Sequence, residues 1–220
     1  NTRLKDLFVS QVDQIVWQYK LAPETINLPA RSGVPELQVF SIHLKVPELH
    51  LDVLRCIDGA VQYPIIFELH FDGRVQTIAC HKRPSDADAS KWVCSDYFAS
   101  SWQLADTPRN PLPIALDLAA LYDSLLRQLI RLPARPQEKL ADQVQRMGKL
   151  AALQRAIEKT QAQLAKEKQF NRKVGINAQL RELKTELEEL SREHLMLPHI
   201  GGHVVVGATG QLPQLLHHHL

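Results

Sequence analysis

The chain has 220 residues, 45% hydrophobic and 23% charged, with a formal net charge of +2. That balance is ordinary for a soluble protein and creates no global field to recruit nucleic acid or membrane, so any such binding rests on a local patch. No window approaches the ~18 apolar residues of a transmembrane helix, and none is expected. Asn1-Thr2-Arg3 is neither a signal peptide nor an initiator methionine, which predicts that the true N-terminus has been lost.

In chain order, Leu4 to Leu21 reads as a first helix, with Leu4, Leu7, Phe8, Val12, Ile15, Val16 and Tyr19 on one face. Pro23 ends it, and Ala22 to Pro35 is a connector. Leu37 to Val46 alternates and predicts a half-buried strand, with Gln38, Phe40, Ile42, Leu44 and Val46 on the core side. Glu48 to Val61 fits a short helix. Ile65 to Lys82 is the clearest β signal, because two strands flank Asp72-Gly73, a dipeptide that tolerates the positive φ values of a type I′ turn. The turn sets Phe71 opposite Arg74, Leu69 opposite Gln76 and Phe67 opposite Ile78. Ile65, Phe67, Leu69, Ile78 and Cys80 then share the core face. Lys91 to Phe98 is a further strand, and Thr107 to Pro113 a second connector. Leu112 to Leu132 is the most hydrophobic helix, closed by Leu132-Pro133-Ala134-Arg135-Pro136, which reads as a hinge.

Leu140 to Leu195 changes character and carries leucines at helical spacing. Leu150, Leu153, Ile157 and Leu164 follow 3-4 spacing, with Thr160 as a polar interruption; Ile176, Leu180, Leu183, Leu187 and Leu190 repeat 4-3-4-3. The two registers are displaced by two positions, with the break near Gln169 to Gly175. That favours a helical hairpin, Gln137–Lys168 against Arg172–His194, over one continuous rod, with Asn171 a candidate cap for the second helix. The expected organisation is therefore α+β. Residues 1–135 form a globular domain with a mainly antiparallel sheet and helices on one face. Residues 136–196 form a coiled-coil-like antiparallel hairpin, and residues 197–220 a tail that is vector-derived or divergent.

Four stretches resemble a bacterial family whose domain is catalogued only as being of unknown function. They are Val12 to Leu21, His81-Lys82-Arg83-Pro84-Ser85, Ser90-Lys91-Trp92-Val93 and, most distinctively, Lys166 to Lys173. The resemblance spans about residues 4–195, although Gly175 stands where the family often has a charged residue. Members are often encoded beside restriction-modification-like genes, with a site-specific DNA methyltransferase and a helicase. The resemblance implies a role in bacterial defence by association and supplies no catalytic residues.

Few residues carry chemistry in their own right. Asp58, Glu68 and His70, with Lys82, are the nearest approach to a metal-dependent nuclease, but the Lys of the usual Glu-x-Lys arrangement is replaced by His70. Lys82, Arg83 and Lys91, beside Trp92, form a basic loop suited to phosphates and base stacking. Lys166, Lys168, Arg172 and Lys173 make the most basic patch, at the hairpin tip. The cysteines are Cys56, Cys80 and Cys94, with no CxxC, and read as buried reduced thiols of a cytosolic protein. Cys94-Ser95-Asp96 is a weak nucleophile candidate, and no His–Cys or His–Glu spacing matches a metal motif. No cofactor or metal is expected. The resulting expectation is a cytoplasmic, non-catalytic interaction subunit of a bacterial DNA-defence or modification system. Its arm would bind a partner protein (a helicase or methyltransferase of the same locus) or its own copy, through Leu183, Leu187 and Leu190 or the basic tip. The alternative is a metal-dependent nuclease or nucleic-acid-binding module using the hairpin face and basic loop.

Overall fold

A computed structural model of the chain describes residues 2–31, 33–88 and 90–192; His194 and the 197–220 tail lie outside them. Five of the sheet's six strands lie in sequential order: β1 (Val12–Leu21), β2 (Leu37–Leu44), β3 (Ile65–Phe71), β4 (Arg74–Pro84) and β5 (Trp92–Ala99). A short β6 (Gln103–Leu104) also pairs with β4. Helix α3 (Leu51–Ala60) crosses between β2 and β3, which are parallel; the other pairings are antiparallel. The fold is α+β, as expected, followed by a helical hairpin. Among the described residues no helix is long and apolar enough to cross a membrane.

The expected first helix is cut in two. Helix α1 covers Thr2–Gln11, the chain then continues as β1, and a single turn, α2 (Pro23–Ile26), follows it. Val12, Ile15, Val16, Trp17 and Tyr19 are β-branched or aromatic, and the ladder offered by β2 overrides their helical spacing. β1 is an edge strand with Ile15, Trp17 and Tyr19 exposed, and the Trp17 indole Nε1 donates to Gln38 Oε1 at 2.6 Å.

Helices cover both faces of the sheet, not one. Residues from α1 and α3 pack with Ile42, Ile65, Phe67, Leu69 and Ile78. On the other side α4 (Leu118–Leu129) packs on Leu37, Val39, Ile66, Ala79 and Phe98. β2 is consequently buried on both sides, including Leu37, Val39 and Ser41, which alternation alone assigns to solvent. Doubly covered strands lose their polar face, so period-two patterning underreports their burial.

The β3–β4 turn has Asp72 at φ 46° and Gly73 at φ 67°, and its register pairs Phe71 with Arg74, Leu69 with Gln76 and Phe67 with Ile78, as the dipeptide predicts. A Cβ on Gly73 would meet nothing within 4 Å, so a substitution there is penalised through the backbone alone. Gly73→Val should lower stability by about 1–2 kcal/mol, read as a lower urea midpoint at unchanged m-value, with Gly73→Asn closer to wild type.

Helix α4 is shorter than its apolar run. Pro111 and Pro113 keep the chain extended, leaving Leu112, Ile114 and Leu116 exposed, and the helix begins only after Asp117, whose side chain accepts from the Ala120 N–H at 2.8 Å.

The arm consists of α5 (Leu140–Lys166) and α6 (Phe170–Arg192), packed as an antiparallel hairpin. Ile157 and Thr160 of α5 and Ile176 and Leu180 of α6 are buried in its seam. Thr160 satisfies its hydroxyl by donating to the Ala156 carbonyl at 2.8 Å. Leu183, Leu187 and Leu190 are half-buried, so their apolar stripe belongs largely to the hairpin itself. Polar contacts gather beside the segment expected as a hinge. Arg146 pairs with Glu138 at 2.7 Å and donates to the Pro133 carbonyl, while Arg127 reaches Gln143 Oε1 and the Glu138 carbonyl. Leu140, Val144 and Met147 join the α4-side core, so the first turns of α5 are anchored in the globular domain.

Candidate functional site

β5 carries a bulge opposite β4. Cys80 pairs with Tyr97 and Lys82 with Cys94, so two residues of β4 span three of β5. Simple alternation would send Cys94 and Tyr97 to opposite faces; the bulge turns both toward α3. The displaced backbone is satisfied from both sides. The His81 N–H donates to Ser95 Oγ at 2.9 Å, the Lys82 N–H donates to the Tyr122 hydroxyl at 2.9 Å, and that hydroxyl donates to the Cys80 carbonyl at 2.7 Å.

On the α3 side the bulge assembles Asp58, Cys80, Lys82, Cys94 and Tyr97. Lys82 Nζ donates to the Asp58 carbonyl at 2.6 Å and the Val61 carbonyl at 2.5 Å, and lies 3.3 Å from Asp58 Oδ1. These carbonyls sit at the C-terminal end of α3, so the ammonium caps the helix where its dipole is negative. Asp58 Oδ2 accepts from the Tyr97 hydroxyl at 2.5 Å and from the Cys80 thiol at 3.7 Å. Burial pushes the Asp58 carboxyl up, opposed by the Tyr97 hydrogen bond and the Lys82 charge. The adjoining Cys94 sulfur, together with burial, holds the Cys80 thiol far above its usual value; the adjoining Cys80 holds Cys94 below. A cleft of about 560 Å³ opens onto the group, lined in part by Arg55, Lys91, Trp92, Cys94 and Tyr97.

This placement corrects two expectations. Lys82 is 1% exposed and cannot reach a phosphate from that position. The thiols are not uniformly buried either: Cys80 is, whereas Cys56 and Cys94 are exposed. The other basic-loop cations are locally balanced, Arg83 by Asp86 at 2.9 Å and Lys91 by Asp88 at 3.4 Å.

The nuclease constellation does not assemble. Glu68 and His70 alternate with Phe67 and Leu69 on β3 and so face the α4 side, while Asp58 projects from α3 across the sheet. Arg109 clamps both Glu68 oxygens, at 2.8 and 2.9 Å. His70 stacks on His43 with ring centroids 4.8 Å apart, and burial followed by the His43 charge pushes its pKa down. No signal in the sequence pointed to Arg109, which comes from an irregular segment far from β3.

At the far end of the arm, Lys166, Lys168, Arg172 and Lys173 are all exposed. Asn171 lies inside α6 and is not its cap. Between the helices, the Glu167 carboxylate accepts from the N–H groups of Lys168 and Gln169 at 2.8 and 2.9 Å, which tightens the turn from α5 into α6. Those backbone donors, Gln169 foremost, hold the Glu167 carboxyl below its usual value, helped by Arg172 and Lys173. Phe170 and Val174, one helical turn apart, stand 77% and 54% exposed among these cations. The charges mark the tip in the sequence, whereas Phe170 and Val174 stand out only through their exposure.

A family model, domain of unknown function DUF4391, matches residues 1–187. The chain belongs to that family. The DUF4391 match takes in the sheet, the α3 cleft, the hairpin tip and most of α6, so the arm is part of the family's domain. No curated protein and no solved structure matches the chain.

Proposed function

We propose that this DUF4391 chain is a non-catalytic interaction subunit that holds a partner protein at the tip of its helical arm. The observation that carries the reading is the tip: exposed Phe170 and Val174 within eight residues of the exposed cations Lys166, Lys168, Arg172 and Lys173. An apolar anchor inside a charged rim is the anatomy of a binding hot spot. The complementary surface is an apolar pocket with an acidic rim, which the four cations steer toward the tip. The polar joint at Glu138 and Arg146 supports this reading, because a fixed arm presents its tip in one orientation. Leu183, Leu187 and Leu190 take second place, being half-covered by α5. The setting we propose is a cytoplasmic bacterial DNA-defence or modification assembly, with the helicase or methyltransferase of the same locus as partner. That setting rests on the resemblance carried by Val12 to Leu21 and Lys166 to Lys173.

The same four cations favour a second reading, contact with DNA phosphates. The two separate in one set of measurements on the full chain, wild type against Phe170→Ala and against the quadruple reversal of Lys166, Lys168, Arg172 and Lys173 to Glu. For a protein partner co-purified from its own locus, both variants should weaken retention at least about tenfold. For DNA, the reversal alone should abolish binding, and the wild type should show a log–log salt slope near −0.9 per phosphate neutralised. Undiminished partner retention in both variants would sink the tip reading.

A further inference from the structure

We propose that Asp58, Cys80 and Cys94 form a binding site for one thiophilic divalent metal ion, best matched by Zn²⁺, at the inner end of the α3 cleft. The site is separate from the arm tip, so the proposal stands or falls apart from the partner-binding reading. One ligand atom from each of the three residues lies within 4.8 Å of the others. Bond lengths of ~2.3 Å to sulfur and ~2.1 Å to oxygen in a tetrahedron place neighbouring sulfur and oxygen ligands about 3.6 Å apart. The Asp58 Oδ2 to Cys80 Sγ distance is already 3.7 Å. Cys94 is the exposed member and lines the cleft, so it is the ligand free to close on the ion.

The donor set selects the metal. Two thiolates and one carboxylate suit Zn²⁺ and disfavour Mg²⁺ or Ca²⁺, which take oxygen ligands. Three protein ligands leave a fourth tetrahedral position, here facing a solvent-accessible cleft where water can occupy it. The surrounding groups act as an outer shell. Tyr97 donates to the ligating Oδ2 and Lys82 contacts Oδ1, which fixes the carboxylate's rotation. Charge also balances. The Lys82 ammonium offsets the Asp58 carboxylate, and the dication offsets two thiolates. As the two metal–sulfur bonds form, the protons of Cys80 and Cys94 leave to solvent, so binding strengthens as pH rises.

The bulge in β5 is the second, independent feature behind the assignment. Without it, Cys94 would face away from Cys80 and Asp58. A disrupted ladder that re-aims one side chain toward two other ligands is a device expected at a site.

The test is titration of the reduced full chain with Co²⁺, followed through sulfur-to-cobalt charge-transfer absorption and the visible bands of tetrahedral cobalt, then displacement by Zn²⁺. We expect one thiolate-bound ion per chain. Cys94→Ser, at an exposed position, should leave the metal-free urea midpoint unchanged yet weaken binding at least ~100-fold, beyond the range of outer-shell changes. Cys56→Ser should leave the spectrum intact. Histidines of the tail, including His217, His218 and His219, give no sulfur band and so cannot mimic the result. Absence of a thiolate band in the wild type, or its persistence in Cys94→Ser, overturns the proposal.

Discussion

Lys82→Ala should lower the stability of the domain by about 3–5 kcal/mol, the range for removing one partner of a buried ion pair. The pair is 1% and 2% exposed at its side chains, so water cannot replace the lost ammonium. Three acceptors lose their donor together: Asp58 Oδ1 and the carbonyls of Asp58 and Val61. The carbonyls matter because they end α3, and α3 supplies Val53 and Leu54 to one of the two cores. Lys82→Met keeps the packing of the stem and should recover only a minor part of the loss. Asp58→Asn combined with Lys82→Met removes the buried charge as well, and should be more stable than Lys82→Met alone. Urea unfolding of the three variants measures all of this. A Lys82→Ala midpoint corresponding to less than about 1 kcal/mol would mean that the pair does not lock α3.

The second large effect is at the arm joint. Glu138 is held at about 2, well below the usual carboxylate value of 4.5, first by its hydrogen bond with Arg146 and then by the Arg135 N–H and the nearby guanidinium charges. A carboxylate whose folded pKa is depressed contributes stability that is complete above its unfolded pKa and is lost as pH falls toward the folded one. The window is therefore between 4.5 and about 2. A displacement of that size corresponds to about 3 kcal/mol at neutral pH. Glu138→Gln should lose most of it at pH 7 and show a much flatter stability profile between pH 4.5 and 2. Because Arg127, Gln143 and Arg146 meet at this joint, the variant should also loosen α5 from α4. Amide exchange in the first turns of α5 would reveal it. Wild-type exchange rates there, with an unchanged pH profile, would contradict the role assigned to Glu138.

The two locks differ in how legible they were. Glu138 and Arg146 are eight residues apart and both follow the proline-bounded linker, yet the prolines alone suggested a hinge. Only the return of α5 onto α4 brings Arg127 into the same network. Lys82 ends the expected hairpin strand, and its alternation with Ile78 and Cys80 puts it on their face, yet its charge in the run His81-Lys82-Arg83 reads as part of a basic loop. It lies in β4 as the strand pattern requires, buried between sheet and helix, while the next residue, Arg83, is only half-buried. Cys94 and Asp58 are 36 positions apart, and their meeting depends on one inserted residue in a strand pairing.

What the sequence determined by itself is whatever depends on residues within a few positions of one another. The Asp72-Gly73 turn and its register follow from two positive φ values, and the division of the arm follows from leucine spacing on either side of Lys166 to Lys173. The basic tip was readable for the same reason. Tertiary structure alone decided the rest. It made Val12 to Leu21 a strand, because β2 supplied a ladder; it covered both faces of the sheet; and it turned Cys94 and Tyr97 toward Asp58 through a bulge. Each of these outcomes is set by a partner distant in the chain, and such pairings leave no periodicity in the segment itself.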